Sequence, residues 1–183
     1  MTLWGGRFSS TTSDAMAALS RSVHFDWRLA PYDIVSSKSH CQNLVKSKIL
    51  TAAEGKKISL ALDQLRKDIE RGAVVPGEHD EDLHGVIERV LIERLGDLGG
   101  KLRAGRSRND QIATDLRLYL REVSCELIAQ LSSLAQAFVA QAKSHDASYV
   151  SGFTHLQHAQ PIVFGHELAK HAHALLRDVE RLE

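Results

Sequence analysis

Ile112-Ala-Thr-Asp-Leu-Arg-Leu-Tyr-Leu-Arg-Glu-Val-Ser-Cys-Glu-Leu-Ile-Ala-Gln-Leu-Ser-Ser-Leu-Ala-Gln-Ala-Phe138 decides the reading of the chain. Within it Ile112, Leu116, Tyr119, Val123, Leu127, Leu131, Leu134 and Phe138 recur every three or four residues, the spacing of one face of an α-helix. Beginning near Asn109–Asp110, which are good N-cap types, and running to about Lys143, the helix would be about 50 Å long at a rise of about 1.5 Å per residue. Leu118, Leu120, Ile128 and Val139 stand off that stripe. The spacing therefore predicts a bundle helix that touches several neighbours.

The residues leading into it, Lys101-Leu-Arg-Ala-Gly-Arg-Ser-Arg-Asn-Asp-Gln111, put four cations, a hydroxyl and an amide at a helix start. Unpaired N–H groups and partial positive charge make such a start a place for anions. It is not a phosphate loop, because Leu102 follows Lys101 where Ser or Thr is needed and the glycine spacing of 96–105 is wrong. No strand precedes it, as a dinucleotide fingerprint requires. A carboxylate or phosphate site of another kind is expected.

Composition sets the outer bounds. The chain has 183 residues, 43% of them apolar, with 23 Lys+Arg against 23 Asp+Glu. That suffices for one core, and zero net charge argues against a general nucleic-acid or membrane-surface binder. The cysteines, Cys41 and Cys125, lie far apart in helical patterns, so no disulfide framework is expected. No signal peptide is read at the N-terminus, no segment reads as an apolar span of bilayer length, and a cytoplasmic setting is expected.

Residues 1–27 read as an arm with a tight turn between Trp4 and Phe8 and a short helix near Asp14–Leu19. A helix follows over Asp26–Lys48 with Pro31 in its first turn. Its polar run, Ser36, Ser37, Ser39 and His40, reads first as a solvated face and second as a cleft lining. Thr51-Ala-Ala-Glu54 is a capping box opening a helix that stops at Gly72. Asp80–Asp82 open the next one, where His84 reads as a surface or core-edge residue. Residues 96–105 are read as a glycine-rich loop and 151–160 as a polar loop, after which Pro161 starts a last helix. That helix meets Glu183 in mid-pattern, so the chain reads as cut. The expected division is 1–108, an N-terminal arm and helical domain, and 109–183, an incomplete start of a central bundle.

The loop at 151–160 offers the hydroxyl of Thr154 beside the imidazole of His155, a group able to exchange protons near neutral pH. Together with the cationic turn it would form a carboxylate pocket with a general acid or base. A metal set of His155, His158, His166 and Glu167 fits no standard zinc spacing. A nucleophilic serine lacks its elbow, and an RNA surface lacks interleaved aromatics.

Several runs carry a specific resemblance: Leu3-Trp-Gly-Gly-Arg-Phe8, Asp33-Ile34 with Ser37 and His40, Glu81-Asp-Leu-His84, Gly105-Arg-Ser-Arg-Asn-Asp-Gln111 and Thr154-His-Leu-Gln157 with Ala159-Gln-Pro161. The chain resembles the argininosuccinate lyases of the fumarase/aspartase superfamily and their lens relative, δ-crystallin. The resemblance implies an all-α subunit: an N-terminal helical domain plus the first long helices of a central bundle. It also implies a homotetramer with active sites shared between subunits. The implied reaction is cleavage of argininosuccinate to arginine and fumarate, the last step of arginine biosynthesis and a step of the urea cycle, without metal or organic cofactor. Ser22, Asn109 and Thr154 match substrate-binding positions and His155 the catalytic histidine; Arg108, Ser107, Gln157 and His84 fall beside them. Neither nucleic acid nor membrane is implied as a partner.

The sequence departs from that family at Ser151-Gly-Phe, where Pro-Gly-Tyr is usual, at Arg103-Ala-Gly-Arg, where His-Thr-Gly-Arg is usual, and at Lys48, where glycine is usual. It also lacks the glycine-serine loop with the partner catalytic serine, so the piece is expected to be inactive alone. A non-catalytic, crystallin-like or co-assembling protein and another superfamily lyase are the competing readings. Without its bundle partners the 112–138 helix is expected to expose an apolar stripe.

Overall fold

The computed structural model describes residues 13–183; the expected turn between Trp4 and Phe8 lies outside the described residues. Two compact units divide the chain, Met1–Tyr119 and Leu120–Glu183. Among the described residues the fold is helical, as the periodicity predicts, with one two-stranded sheet.

In the first unit α1 (Asp14–Ser20) is capped by the Ser13 hydroxyl, which accepts from Met16 N–H. Next come α2 (Val23–Asp26), a 3-10 turn (Trp27–Leu29) and α3 (Ala30–Lys46), with proline in its first turn. Then α4 (Ala52–Glu70) begins with the full capping box, Thr51 and Glu54 each satisfying the other's backbone N–H. The α5 helix (Leu83–Leu95) is capped by Asp82, whose carboxylate accepts from Gly85 N–H at 2.6 Å. Ile34, Ile58, Leu62, Leu65, Leu83, Val86 and Leu91 interlock as the buried core. Cys41 is buried among them, whereas Cys125 is exposed, and both are free thiols.

Both ends of the α3–α4 hairpin use one device. After α3, Lys48 N–H donates to Val45 C=O and Ile49 N–H to Leu44 C=O; after α4, Gly72 donates to Ile69 and Ala73 to Asp68. This paired closure needs a left-handed residue, which is Lys48 (φ 60°) in the first case and Gly72 (φ 71°) in the second.

The segment expected to be a loop over 96–105 is mostly wound: α6 (Asp97–Gly100) runs into a 3-10 turn (Lys101–Arg103). Leu102 is buried there against the core, which gives the turn an apolar anchor that glycine content alone does not disclose. The long helix α7 (Arg108–Ser144) has 37 residues, about 55 Å at a rise of about 1.5 Å per residue. It begins one residue earlier than expected, because Ser107 is the capping residue: its hydroxyl accepts from Asn109 N–H at 3.2 Å. The division between the units falls within α7.

The expectation that no segment is apolar enough for a bilayer needs correction. A window of α7 has a mean hydropathy of 1.3 and sufficient length. It contains no unbroken apolar run, because Ser, Gln and Glu126 punctuate the Leu, Ala and Val residues. Core helices of soluble proteins that pass the same criterion are mostly buried, whereas 6% of this window is buried. Leu120, Leu127 and Leu134 are 51%, 40% and 48% exposed, and their seven-residue spacing is that of a seam between long helices.

In the second unit, residues read as a polar loop form a hairpin, β1 (Tyr149–Thr154) paired antiparallel with β2 (Gln157–Val163). Pro161 lies in β2, opposite Ser151, and α8 (Phe164–Leu182) starts three residues after the proline. The β-branched and aromatic residues of 149–154 favour a strand. The missing Asn-Gly turn signal hid the hairpin. The start of α8 is pinned by Phe164 N–H to Ser148 C=O and Gly165 N–H to His145 C=O.

Candidate functional site

The cationic turn is tied down by the first unit's own acids and hydroxyls. Lys101 pairs with Glu54 at 2.6 Å. Arg103 and Arg108 share Glu88 at 3.4 and 3.0 Å. Arg106 donates to the hydroxyls of Ser37 and Ser36 at 2.7 and 2.8 Å. All four cations are thus engaged in the protein, whereas the exposed Asn109 side chain makes no hydrogen bond among the described residues.

Behind α7's first turn lies a buried polar cluster. Ser37 donates to Asp33 Oδ1 at 2.8 Å and Ser36 to Asp115 Oδ1 at 2.6 Å. His84 Nδ1 is 2.6 Å from Asp33 Oδ2, which also receives the Gln111 amide; against a carboxylate this ring nitrogen is the donor. Asp33, Asp115, Ser37 and His84 are at most 4% exposed. The solvated-face reading of Ser36 and Ser37 and the surface reading of His84 are therefore corrected. The polar stripe of α3 faces inward because α5 and α7 bring donors and acceptors to meet it.

A cavity of about 40 Å³ adjoins the cluster, bordered by His84, Glu88, Arg106, Arg108 and Gln111 among others. It has room for water and none for a multi-carboxylate substrate, which needs several hundred Å³. Arg108 Nε is buried there without a partner. Ser22 stands elsewhere in this unit: its hydroxyl donates to Asp26 Oδ2 at 2.6 Å and its N–H to Glu81 C=O. Burial outweighs the Ser22 hydroxyl and pushes the Asp26 carboxyl up.

The other expected residues occupy the second unit. Thr154 pairs with Gln157 across the end of the hairpin, leaving His155 and Leu156 as the two turn residues. Both have positive φ, 50° and 61°. That is the two-residue turn whose twist matches a hairpin and which favours Asn-Gly. A histidine and a leucine there are held in a backbone region that L-residues avoid, an arrangement that clusters at functional sites. Thr154, His155 and Gln157 are exposed and their side chains make no hydrogen bond among the described residues. The structure thus groups Ser107, Arg108, Asn109 and His84 around one helix start, and Thr154, His155 and Gln157 around one turn.

Among the described residues one group has the composition of a cation site, Asp33, His84 and Asp115, with donor atoms within 4.8 Å of one another. Asp33 already accepts three donors. The sequence signal for this cluster was two acids inside apolar helical patterns: Asp115 in the α7 stripe, and Asp33 one turn before Ser36 and Ser37.

A family model described as Lyase matches residues 6–183. The chain belongs to that family. An argininosuccinate lyase of Frankia casuarinae is 54% identical over 182 residues, 100% of this chain and 39% of that protein. One of Saccharopolyspora erythraea is 52% identical over 181 residues, 98% of this chain and 38% of its own. The chain spans about two-fifths of the length of these curated relatives. Among solved structures, an EDDS lyase variant with bound fumarate matches with a TM-score of 0.73 at 23% identity, over 95% of this chain and 35% of that one. The fumarate lyase:delta crystallin of Brucella melitensis matches at 0.71 and 20%, over 91% and 44%. These two likenesses speak for the fold alone.

Proposed function

We propose that this chain supplies part of the site of an argininosuccinate lyase, eliminating fumarate from argininosuccinate and releasing arginine. The observation that carries the reading is His155, a titratable side chain held in left-handed backbone at the tip of a two-residue turn, beside Thr154. The identities above 50% to argininosuccinate lyases support the choice of substrate.

In this reaction a base takes the proton beside a carboxylate. The C–H electron pair becomes the fumarate double bond, and the C–N pair leaves with arginine, which is protonated. Charge builds on the substrate carboxylate, and preorganised donors are needed where it builds. Asn109 at the start of α7, Thr154 and Ser22 are proposed as such donors. His155 exchanges a proton or polarises the substrate, the two uses an imidazole has in such a site. Arg108, Ser107, Gln157 and His84 shape the surroundings. The serine partner is proposed to come from outside these 183 residues.

The test is fumarate formation from argininosuccinate by the chain alone and with a C-terminal segment of a relative. Turnover only in the mixture, lost in His155→Asn, is expected; no turnover from two folded pieces would overturn the reading. A homo-oligomer built along α7 is proposed on the exposed Leu120, Leu127 and Leu134, and native mass spectrometry reads it.

A further inference from the structure

We propose that Asp33 and Asp115 share a single proton, Asp33 holding the charge and Asp115 the hydrogen, and that this pair positions the first turn of α7 and with it Asn109. The inference rests on the proposed role of Asn109 as a substrate ligand.

The geometry divides the roles. Both oxygens of Asp33 are served by donors: Ser37 on Oδ1, His84 and Gln111 on Oδ2. That is the coordination an ionised carboxylate requires. Asp115 is as deeply buried, yet only Oδ1 receives a donor, Ser36, and Oδ2 receives none. His84 Nδ1 stands 3.9 Å from that oxygen, beyond a hydrogen bond, and already faces Asp33. A carboxylate buried with a bare oxygen is costly, whereas a neutral acid needs only one acceptor for its O–H. A carboxylate oxygen of Asp33 lies within 4.8 Å of one of Asp115, and Asp33 is the acceptor assigned to that O–H. Burial first, and the Asp33 charge second, push the Asp115 carboxyl up to about 7.

Charged and polar groups face the pair from every element packed against it. From α3 come Ser36, Ser37 and, farther along, His40, which is tied to Ala104 C=O. From α5 come His84 and Glu88, the latter matched by Arg103 and Arg108. Before α7 stands Arg106, one cation reaching both serines. With Glu88 shared by Arg103 and Arg108, three cations face three carboxylates, so it is the bare Asp115 Oδ2 and not a charge count that assigns the proton. Because Gln111 and Asp115 are on α7, and Arg106 and Ser107 precede it, the pair's two acceptors hold the turn that presents Asn109.

Carboxyl-carbon NMR of the chain tests this without turnover, so its outcome is separable from the lyase reading. The Asp115 carbon is expected to titrate with a midpoint within about one unit of pH 7, and the Asn109 amide to follow it. In Asp115→Asn, which keeps the shape and the donor, the Asn109 shift loses that transition, and the melting temperature loses its fall between pH 5 and 8. An Asp115 carbon ionised at pH 5 would overturn the proposal. So would an Asn109 transition surviving in Asp115→Asn but lost in His84→Gln, which would move the proton to the imidazole. A one-to-one cobalt(II) complex that displaces both carboxyl signals would replace the proton by a metal and overturn it as well.

Discussion

Lys48 stands in the same position after α3 that Gly72 holds after α4: each is the left-handed residue of a paired helix closure, at φ 60° and 71°. One hairpin thus carries both the residue suited to this backbone and one that is strained in it. A left-handed side-chain-bearing residue costs about 1–2 kcal/mol, partly offset by the entropy that glycine loses on folding. Lys48→Gly is therefore expected to stabilise the first unit by about 1 kcal/mol. Urea titration followed by circular dichroism measures it, and an unchanged or lower midpoint would reject the account. It also gives a physical meaning to the glycine usual at this position in the family the sequence resembles.

The hairpin turn should behave alike, with function added. Leu156 is 99% exposed and left-handed, so Leu156→Gly removes strain and no packing, and a gain of about 1 kcal/mol is expected. His155→Asn should also raise the melting temperature while removing activity from the complemented lyase. A gain at Leu156 with none at His155 would indicate that the imidazole has contacts of its own.

Two carboxyls pull the pH dependence in opposite directions. Asp115 has a folded-state value raised to about 7 by burial and by Asp33. The stability it contributes is complete below about pH 4 and is lost as pH rises through 7. Lys101, followed by the Thr51 backbone and hydroxyl, holds Glu54 down at about 2. Its contribution is present above about 4.5 and is lost as pH falls toward 2. Thermal melts from pH 2 to 8 should lose the alkaline decline in Asp115→Asn and much of the acid decline in Glu54→Gln. Parallel profiles for all three proteins would contradict both assignments.

Ser107 offers a local test of the helix start. Ser107→Ala removes the acceptor for Asn109 N–H and should cost about 1 kcal/mol. Faster amide exchange confined to residues 109–111 would be its signature, and protection unchanged there would rule out the cap.

The exposed seam leads to a last expectation. Replacing Leu120, Leu127 and Leu134 together by Gln should reduce dye binding and micromolar self-association of the chain, followed by light scattering. Undiminished association would place the contact elsewhere.

Features decided within a few residues were legible in the sequence. Thr51 and Glu54 form their box from four adjacent positions, and the α7 stripe declares itself by period. His155 was legible as a candidate through the neighbouring hydroxyl and the family resemblance, but its left-handed backbone was not. That conformation follows from strand pairing between 149–154 and 157–163, in a turn without the usual Asn-Gly. The bulge between Ser151 and Phe153, where a Cβ on Gly152 would come within 3.0 Å of Gln160 O, depends on the same pairing. Asp33 and Asp115 were hardest to foresee. Their most distant partners, Gln111 for Asp33 and Ser36 for Asp115, lie 78 and 79 residues away, and an acid on a helix reads as solvated until another helix is laid over it.

The two thiols have a practical consequence. Cys41 is 1% exposed, its burial pushes the thiol up and away from the reactive thiolate, and it faces Gly55 C=O. Cys125 is exposed. Electrophiles attack the accessible thiolate, so a maleimide dye should attach at one position of the unaltered folded chain. At about 100° per residue Cys125 points roughly away from the Leu120–Leu127–Leu134 line. A fluorophore there would follow α7 through assembly while leaving its apolar edge uncovered.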